Sequence, residues 1–130
     1  MCGIIGITSS KPVSSAIINS LRKLEYRGYD SAGLATLSEG IINEVKSEGR
    51  VENLEKNIAI KNMQGSVGIG HVRWATHGIP NTVNAHPHSS NNVSIVHNGI
   101  IENSTILKKF LISKGHKFKS QTDTEVIVHL

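Results

Sequence analysis

Short β-type apolar runs alternate with segments of helical period from one end of the chain to the other, which confines it to a mixed helix-and-sheet fold. Ile4 to Thr8 predicts a strand at the N-terminus. Val13, Ala16, Ile17, Leu21 and Leu24 recur at helical spacing behind Pro12, a residue suited to a first helical turn. The glycines and the Asp-Ser pair of Tyr26 to Gly33 break that helix before a strand over Leu34 to Leu37. Glu39-Gly40 then predicts a hairpin into Ile41 to Val45. Val51, Leu54 and Ile58 suggest a short second helix. Strands are expected from Val67 to Val72, ending at Arg73, and from Val93 to Val96, ending at His97-Asn98-Gly99, so both deliver polar residues at their C-terminal ends. Leu107, Phe110 and Leu111 fit a helix stopped by Gly115 and followed by a polar strand. Thr122 and Glu125 have capping-box spacing for a final helix that reaches Leu130.

With 130 residues the chain suits one domain, and a chain of this size buries roughly two-thirds of its unfolded surface. No apolar run approaches the ~20 residues of a membrane span and no secretory signal is visible, so a cytoplasmic location without a membrane partner is expected. One cysteine cannot form an internal disulfide, which agrees. The net charge of +4 and pI near 9.4 raise nucleic acid as a partner. The distribution argues against it, because only Lys108, Lys109, Lys114, Lys117 and Lys119 are locally dense, and a solvated helix face explains them. His71, His77, His86, His88 and His97 fall within 27 residues. No carboxylate or thiol stands at metal-ligand spacing among them, and Pro87 prevents a helical arrangement of His86 and His88. Neither a metal nor a cofactor is expected.

Cys2 carries the chemistry. Methionine is usually removed ahead of a small second residue, which would leave a free α-amino group and a thiol on one residue. A free α-amine titrates near pH ~8 and a free thiol near ~8.5, so the two can share a proton without a separate histidine. Gly3 beside it allows close backbone approach. The bland alternative is an inert cysteine that happens to lie near a terminus.

The strings MCGIIG (1–6), YRGYDSAG (26–33), HVRWATHG (71–78), NAHPH (84–88), HNGIIEN (97–103) and TDTE (122–125) closely resemble, in colinear order, the N-terminal glutaminase domain of the glucosamine-6-phosphate synthases, or glutamine–fructose-6-phosphate aminotransferases. YRGYDSAG and RWATHG resemble the aminosugar-forming branch of the class II glutamine amidotransferases. The resemblance implies an α+β, four-layer αββα N-terminal-nucleophile (Ntn) hydrolase fold, incomplete at its C-terminus. Residues 1–130 would be a partial type-2 amidotransferase domain, with the rest of the glutaminase domain and the sugar-isomerase domains absent.

The same resemblance implies the activity and its residues. Cys2 attacks the glutamine amide, gives a γ-glutamyl thioester and releases ammonia for fructose 6-phosphate, which is a partner only through the isomerase part. Asn98 and the Gly99 N–H would stabilise the tetrahedral oxyanion, although Asn-Gly is also a common hairpin signal. Arg73 would hold the glutamine α-carboxylate, to which its fork geometry is suited. Asp123 would hold the α-ammonium; its alternative is an acid favoured at a helix start. Thr76 and His77 would contact substrate in a lid, with Trp74 shielding the ammonia route or serving as a core anchor. Arg27 would lie near the nucleophile or pair with Asp30. Full-length relatives are expected to be homo-oligomers. Two other readings remain: a catalytically silent fragment of that enzyme, and the glutaminase domain of another amidotransferase.

Overall fold

A computed structural model describes residues 1–130, apart from the side chains of Ile58 and Lys61. Its larger sheet is antiparallel and has the order β1-β4-β2-β3, built from Gly3–Thr8, Val67–Arg73, Ser31–Ser38 and Ile41–Glu48. The β2–β3 hairpin turns on Glu39 and Gly40, with φ of 51° and 74°. Positive φ at both central residues marks a type I′ turn, whose twist matches that of the strands it joins, and glycine reaches this region without steric cost. Pairing continues to Ser31 opposite Glu48, so both strands outrun the apolar runs that predicted them.

One face of this sheet is covered by α1 (Ser14–Leu24) and α2 (Val51–Glu55). Ile17, Ile18 and Leu21 of α1 pack with Ala32, Leu34, Val45 and Val72, and Val51, Leu54, Ile60 and Met63 close one end. A Cβ on Gly68 or Gly70 would come within 2.7 or 2.5 Å of Ile17, so these two positions let the helix settle onto β4. Pro12 is not in the first turn as expected. Val13 is buried, donates its N–H to Gly65 O at 3.0 Å and occupies the cap, so Pro12 lies ahead of the helix. The expected second helix is split: α2 ends at Glu55 and a 3-10 turn follows over Ile58–Asn62. The side chain of Ile58, one of the three residues behind that expectation, lies outside the described residues.

The other face meets a second layer. A small hairpin of β5 (His88–Ser90) and β6 (Val93–Ile95) precedes α3 (Ser104–Ser113) and α4 (Glu125–His129). The segment entering β5 lies on the sheet: Lys46 Nζ donates to Pro87 O at 3.2 Å, Ser89 Oγ to Glu44 Oε2 at 2.5 Å, and the His86 ring stacks on His71. Away from this contact the same face stays open, with Ile4, Leu37 and Val67 exposed.

α3 ends as expected at Gly115. The Gly115 N–H bonds to Ile112 O and the His116 N–H to Leu111 O, the paired bonds of a Schellman motif. The polar strand expected after it is not formed. Lys119 N and Ser120 N instead donate to the Glu125 carboxylate at 2.8 and 2.7 Å, so a side chain holds this stretch where a strand partner would. The capping box is overturned by the same contacts. Glu125 is occupied upstream, Thr124 caps α4 without a side-chain bond, and Thr122 Oγ1 lies 2.8 Å from His88 Nε2.

Candidate active site

Strand register brings Cys2 to the residues that the motifs single out. Gly3 pairs with Val72, so Cys2 sits where β4 runs out into Arg73 and Trp74. The Trp74 N–H donates to Cys2 Sγ at 3.2 Å, and the thiol lies 3.5 Å from Trp74 O. The Cys2 carbonyl oxygen accepts two side-chain bonds, from Arg27 Nε and Asn98 Nδ2, each at 3.0 Å. Three segments far apart in sequence thus fix the residue: the turn after α1, the end of β4 and the loop after β6.

Arg27 therefore contacts the backbone of Cys2, and no ion pair joins it to Asp30 among the described residues. Asp30 accepts from Ala75 N at 2.5 Å and from Ser31 Oγ at 3.2 Å, while its own N–H bonds to Arg73 O. It holds the loop that supplies the Trp74 N–H. Its place in the string YRGYDSAG was the one signal that could have marked it. Asn98 and Gly99 form no hairpin, because β6 has ended at Ile95 and the chain proceeds to α3. Trp74 is no core anchor. It is half-exposed at the rim and meets Tyr29 edge-on, ring centroids 6.1 Å apart.

Arg73 is 3% exposed. Its guanidinium donates to the carbonyls of Ile79 at 3.3 Å and Gly78 at 3.4 Å, and also to that of His77. Burial draws its pKa below the ordinary arginine value, and the nearby charges of Asp30, Cys2 and Asp123 oppose that shift. Asp123, also buried, accepts from Ile101 N at 2.6 Å, and its other oxygen lies 3.9 Å from His77 Nδ1. Thr76 Oγ1 is 3.3 Å from the same ring nitrogen. His77, Thr105, Gln121 and Asp123 line a cavity of about 180 Å³. The side chains singled out in sequence thus divide into a group around Cys2 and a group around the loop 76–79, and Arg73 and Trp74 join the two.

Sequence reasoning missed the order among the histidines. His71, fully buried, lies 3.1 Å from His97 O through Nε2, and its Nδ1 has no partner. Its ring stacks on His86 at 4.1 Å, and His86 meets His88 edge-on at 4.7 Å. Burial pushes His71 down to about 3 and, with Lys46 adding to it, His88 down to about 4; His86 is driven lower still by burial and by its two neighbours. These rings are neutral packing groups at ordinary pH. Among the described residues no group of three His, Cys, Asp or Glu side chains is placed to hold a metal ion.

Comparison with known proteins gives the family and the fold. The glutamine amidotransferase domain family matches residues 56–130, more than half of the chain, and the chain belongs to that family. Two solved structures share its fold across its whole length: the glutamine phosphoribosylpyrophosphate amidotransferase from B. subtilis complexed with ADP and GMP, at 30% identity and a TM-score of 0.83, and a structure of the allosteric regulatory enzyme of purine biosynthesis, at 30% and 0.85. The chain covers 29% of each of those chains. The fold is accordingly the α+β fold of the N-terminal-nucleophile hydrolases. Sequence similarity is higher to the glutamine–fructose-6-phosphate aminotransferases (isomerizing). The chain is 53% identical to that of Mesorhizobium japonicum over 130 residues and 56% identical to that of Clostridium acetobutylicum over 132. It spans about a fifth of the length of these relatives, 21% and 22%. Among the described residues no helix is long and apolar enough to cross a membrane.

Proposed function

We propose that this chain is the glutamine-hydrolysing part of a glucosamine-6-phosphate-forming enzyme, with Cys2 as nucleophile once Met1 is removed. The observation that carries this reading is the position of the Cys2 sulfur, 3.2 Å from the Trp74 N–H at the end of the strand that supplies Arg73. The freed α-amine of Cys2 takes the thiol proton, directly or through one water, and the thiolate attacks the glutamine side-chain amide. The amide oxygen then carries the developing charge, toward which the Gly99 N–H and the second N–H of Asn98 are to be directed. Collapse of the tetrahedral adduct breaks the C–N bond, the amine proton passes to the departing nitrogen, and ammonia leaves with a γ-glutamyl thioester on Cys2. Water hydrolyses the thioester to glutamate and regenerates the thiol.

In this reading Arg73 receives the α-carboxylate and Asp123 the α-ammonium, while Thr76, His77 and Trp74 cover the substrate. Arg27 positions Cys2 through its carbonyl. Fructose 6-phosphate accepts the ammonia in the sugar-isomerase portion of the longer relatives. Release of ammonia from glutamine tests the proposal. Cys2→Ser is expected to abolish release, and intact mass spectrometry should find a chain lacking Met1. Turnover by a chain that fully retains Met1 would overturn the mechanism.

A further inference from the structure

The loop 77–80 is exposed along its length, yet its carbonyls receive the buried guanidinium of Arg73. Something other than its own packing must hold it. On its far side stands Asn84, 1% exposed with both ends of its amide bonded. Asn84 Nδ2 donates to Ile79 O at 2.9 Å and to Gln121 Oε1 at 3.0 Å, and Asn84 Oδ1 accepts from Gln121 N at 2.8 Å. Gln121 Oε1 also accepts from Ile79 N at 3.3 Å, and the Asn84 N–H is used by Asn81 Oδ1 at 2.7 Å. Loop 77–80 and the segment that leads into Asp123 are thereby tied together through two amide side chains.

Gly78 supplies an independent sign of how closely they approach. Its φ is +79°, and a Cβ there would come within 2.7 Å of Asn84 Nδ2 and 2.9 Å of Gln121 Cβ. Any other residue would be strained in the backbone and would also push the tie apart. The fit has consequences for recognition, because one partner of the tie carries the carbonyls that seat Arg73 and the other is two residues from Asp123.

We infer that Asn84 and Gln121 are positioning residues for amino-acid recognition: their clasp sets the spacing between the guanidinium of Arg73 and the carboxylate of Asp123, and so selects a ligand with an α-carboxylate and an α-ammonium on one carbon. This rests on the assignment of Arg73 and Asp123 proposed above. Neither residue bonds to Cys2, whose partners are Trp74, Arg27 and Asn98, so the clasp governs affinity and leaves the thiol alone. The Gln121 side chain works through its oxygen only, which makes a conservative rescue possible, since a glutamate keeps that acceptor.

The experiment measures glutamine affinity by calorimetry and, separately, the rate at which iodoacetamide alkylates Cys2, in the full chain. Gln121→Ala should weaken glutamine binding about tenfold, the loss of one or two hydrogen bonds, with Cys2 alkylation unchanged. Gln121→Glu should bind within about twofold of the parent. Asn84→Ala should match or exceed Gln121→Ala, and the double variant should be no weaker than Asn84→Ala alone, because the pair acts as one unit. Gln121 is exposed, so its variants are expected to fold even where Asn84→Ala does not. Normal affinity in Gln121→Ala, or equal losses in Gln121→Ala and Gln121→Glu, would overturn the clasp. If Arg73→Ala and Asp123→Ala also bind glutamine normally, the recognition assignment falls with it; if they lose binding while Gln121→Ala does not, the clasp falls alone.

Discussion

Where the sheet faces α1, Ile17, Leu21, Leu34, Val72 and their neighbours form a mostly aliphatic packing in which Thr36 is a buried exception, whereas the face toward β5 and α4 is packed with His71, Arg73, Asn84, His86, His88, Thr122, Asp123 and Glu125. The first side is held by apolar area, which is non-directional and tolerates exchange of similar volumes. The second is held by hydrogen bonds that must each find a partner, because an unpaired buried polar group costs on the order of 1–3 kcal/mol. One sheet therefore carries a tolerant side and an exacting side, and the candidate active site is built on the exacting one.

Acid should separate the two sides most strongly. An unfolded imidazole with its ordinary value of 6.5 takes up a proton at pH 5, while His71 and His88, held at about 3 and about 4, do not. Their contribution is full above about pH 6.5 and is lost as pH falls from there, down to about 4 for His88 and about 3 for His71. For the pair this amounts to on the order of 4 kcal/mol at pH 5. A melting temperature that stays constant between pH 7 and pH 5 would show that the histidine-packed layer is not part of the cooperative unit.

Next in size is Leu34→Ala, which empties a fully buried site on the aliphatic side. It should lower unfolding free energy by about 3 kcal/mol, equally at pH 5 and pH 7, in denaturant titrations. A loss that grew with acidity would mean that the two faces are not independent. Arg73→Lys follows: without the guanidinium fork it should weaken glutamine binding about tenfold or more, and Asp123→Glu should do so less. Equal or reversed losses in calorimetry would exchange the ends of the ligand. The smallest effect belongs to the surface, where Arg22 pairs with Glu55 and both side chains are nearly half exposed. Arg22→Ala should cost less than about 1 kcal/mol and vanish into high salt.

The tolerant side was also the legible one. Ile17 and Leu21 betray their helix by spacing, and Glu39-Gly40 betrays its turn by chemistry, because period and turn preference act between residues close in sequence. On the exacting side short-range rules misled. Thr122 and Glu125 have the spacing of a capping box, but each had a more distant partner, His88 for one and the Lys119–Ser120 backbone for the other. The polar stretch after Gly115 read as a strand because its pattern gave no sign that a carboxylate side chain would take its backbone N–H groups. The candidate site residues were reached through motif strings. Their partners, Asp30 on Ala75 and Asn84 on Gln121, depend on contacts 45 and 37 residues apart that no local pattern encodes.

The two bonds to the Cys2 carbonyl bear on the order of maturation. Arg27 and Asn98 grip the residue on its C-terminal side, whereas Met1, 74% exposed, stands clear of the fold. An aminopeptidase can then trim the initiator from an already folded chain, and nothing in the core has to open for it. An affinity tag fused ahead of Met1 would likewise be accommodated in space while capping the amine that the proposed chemistry requires. Such a fusion should be well folded and inert, and a protease cut leaving cysteine first would switch it on.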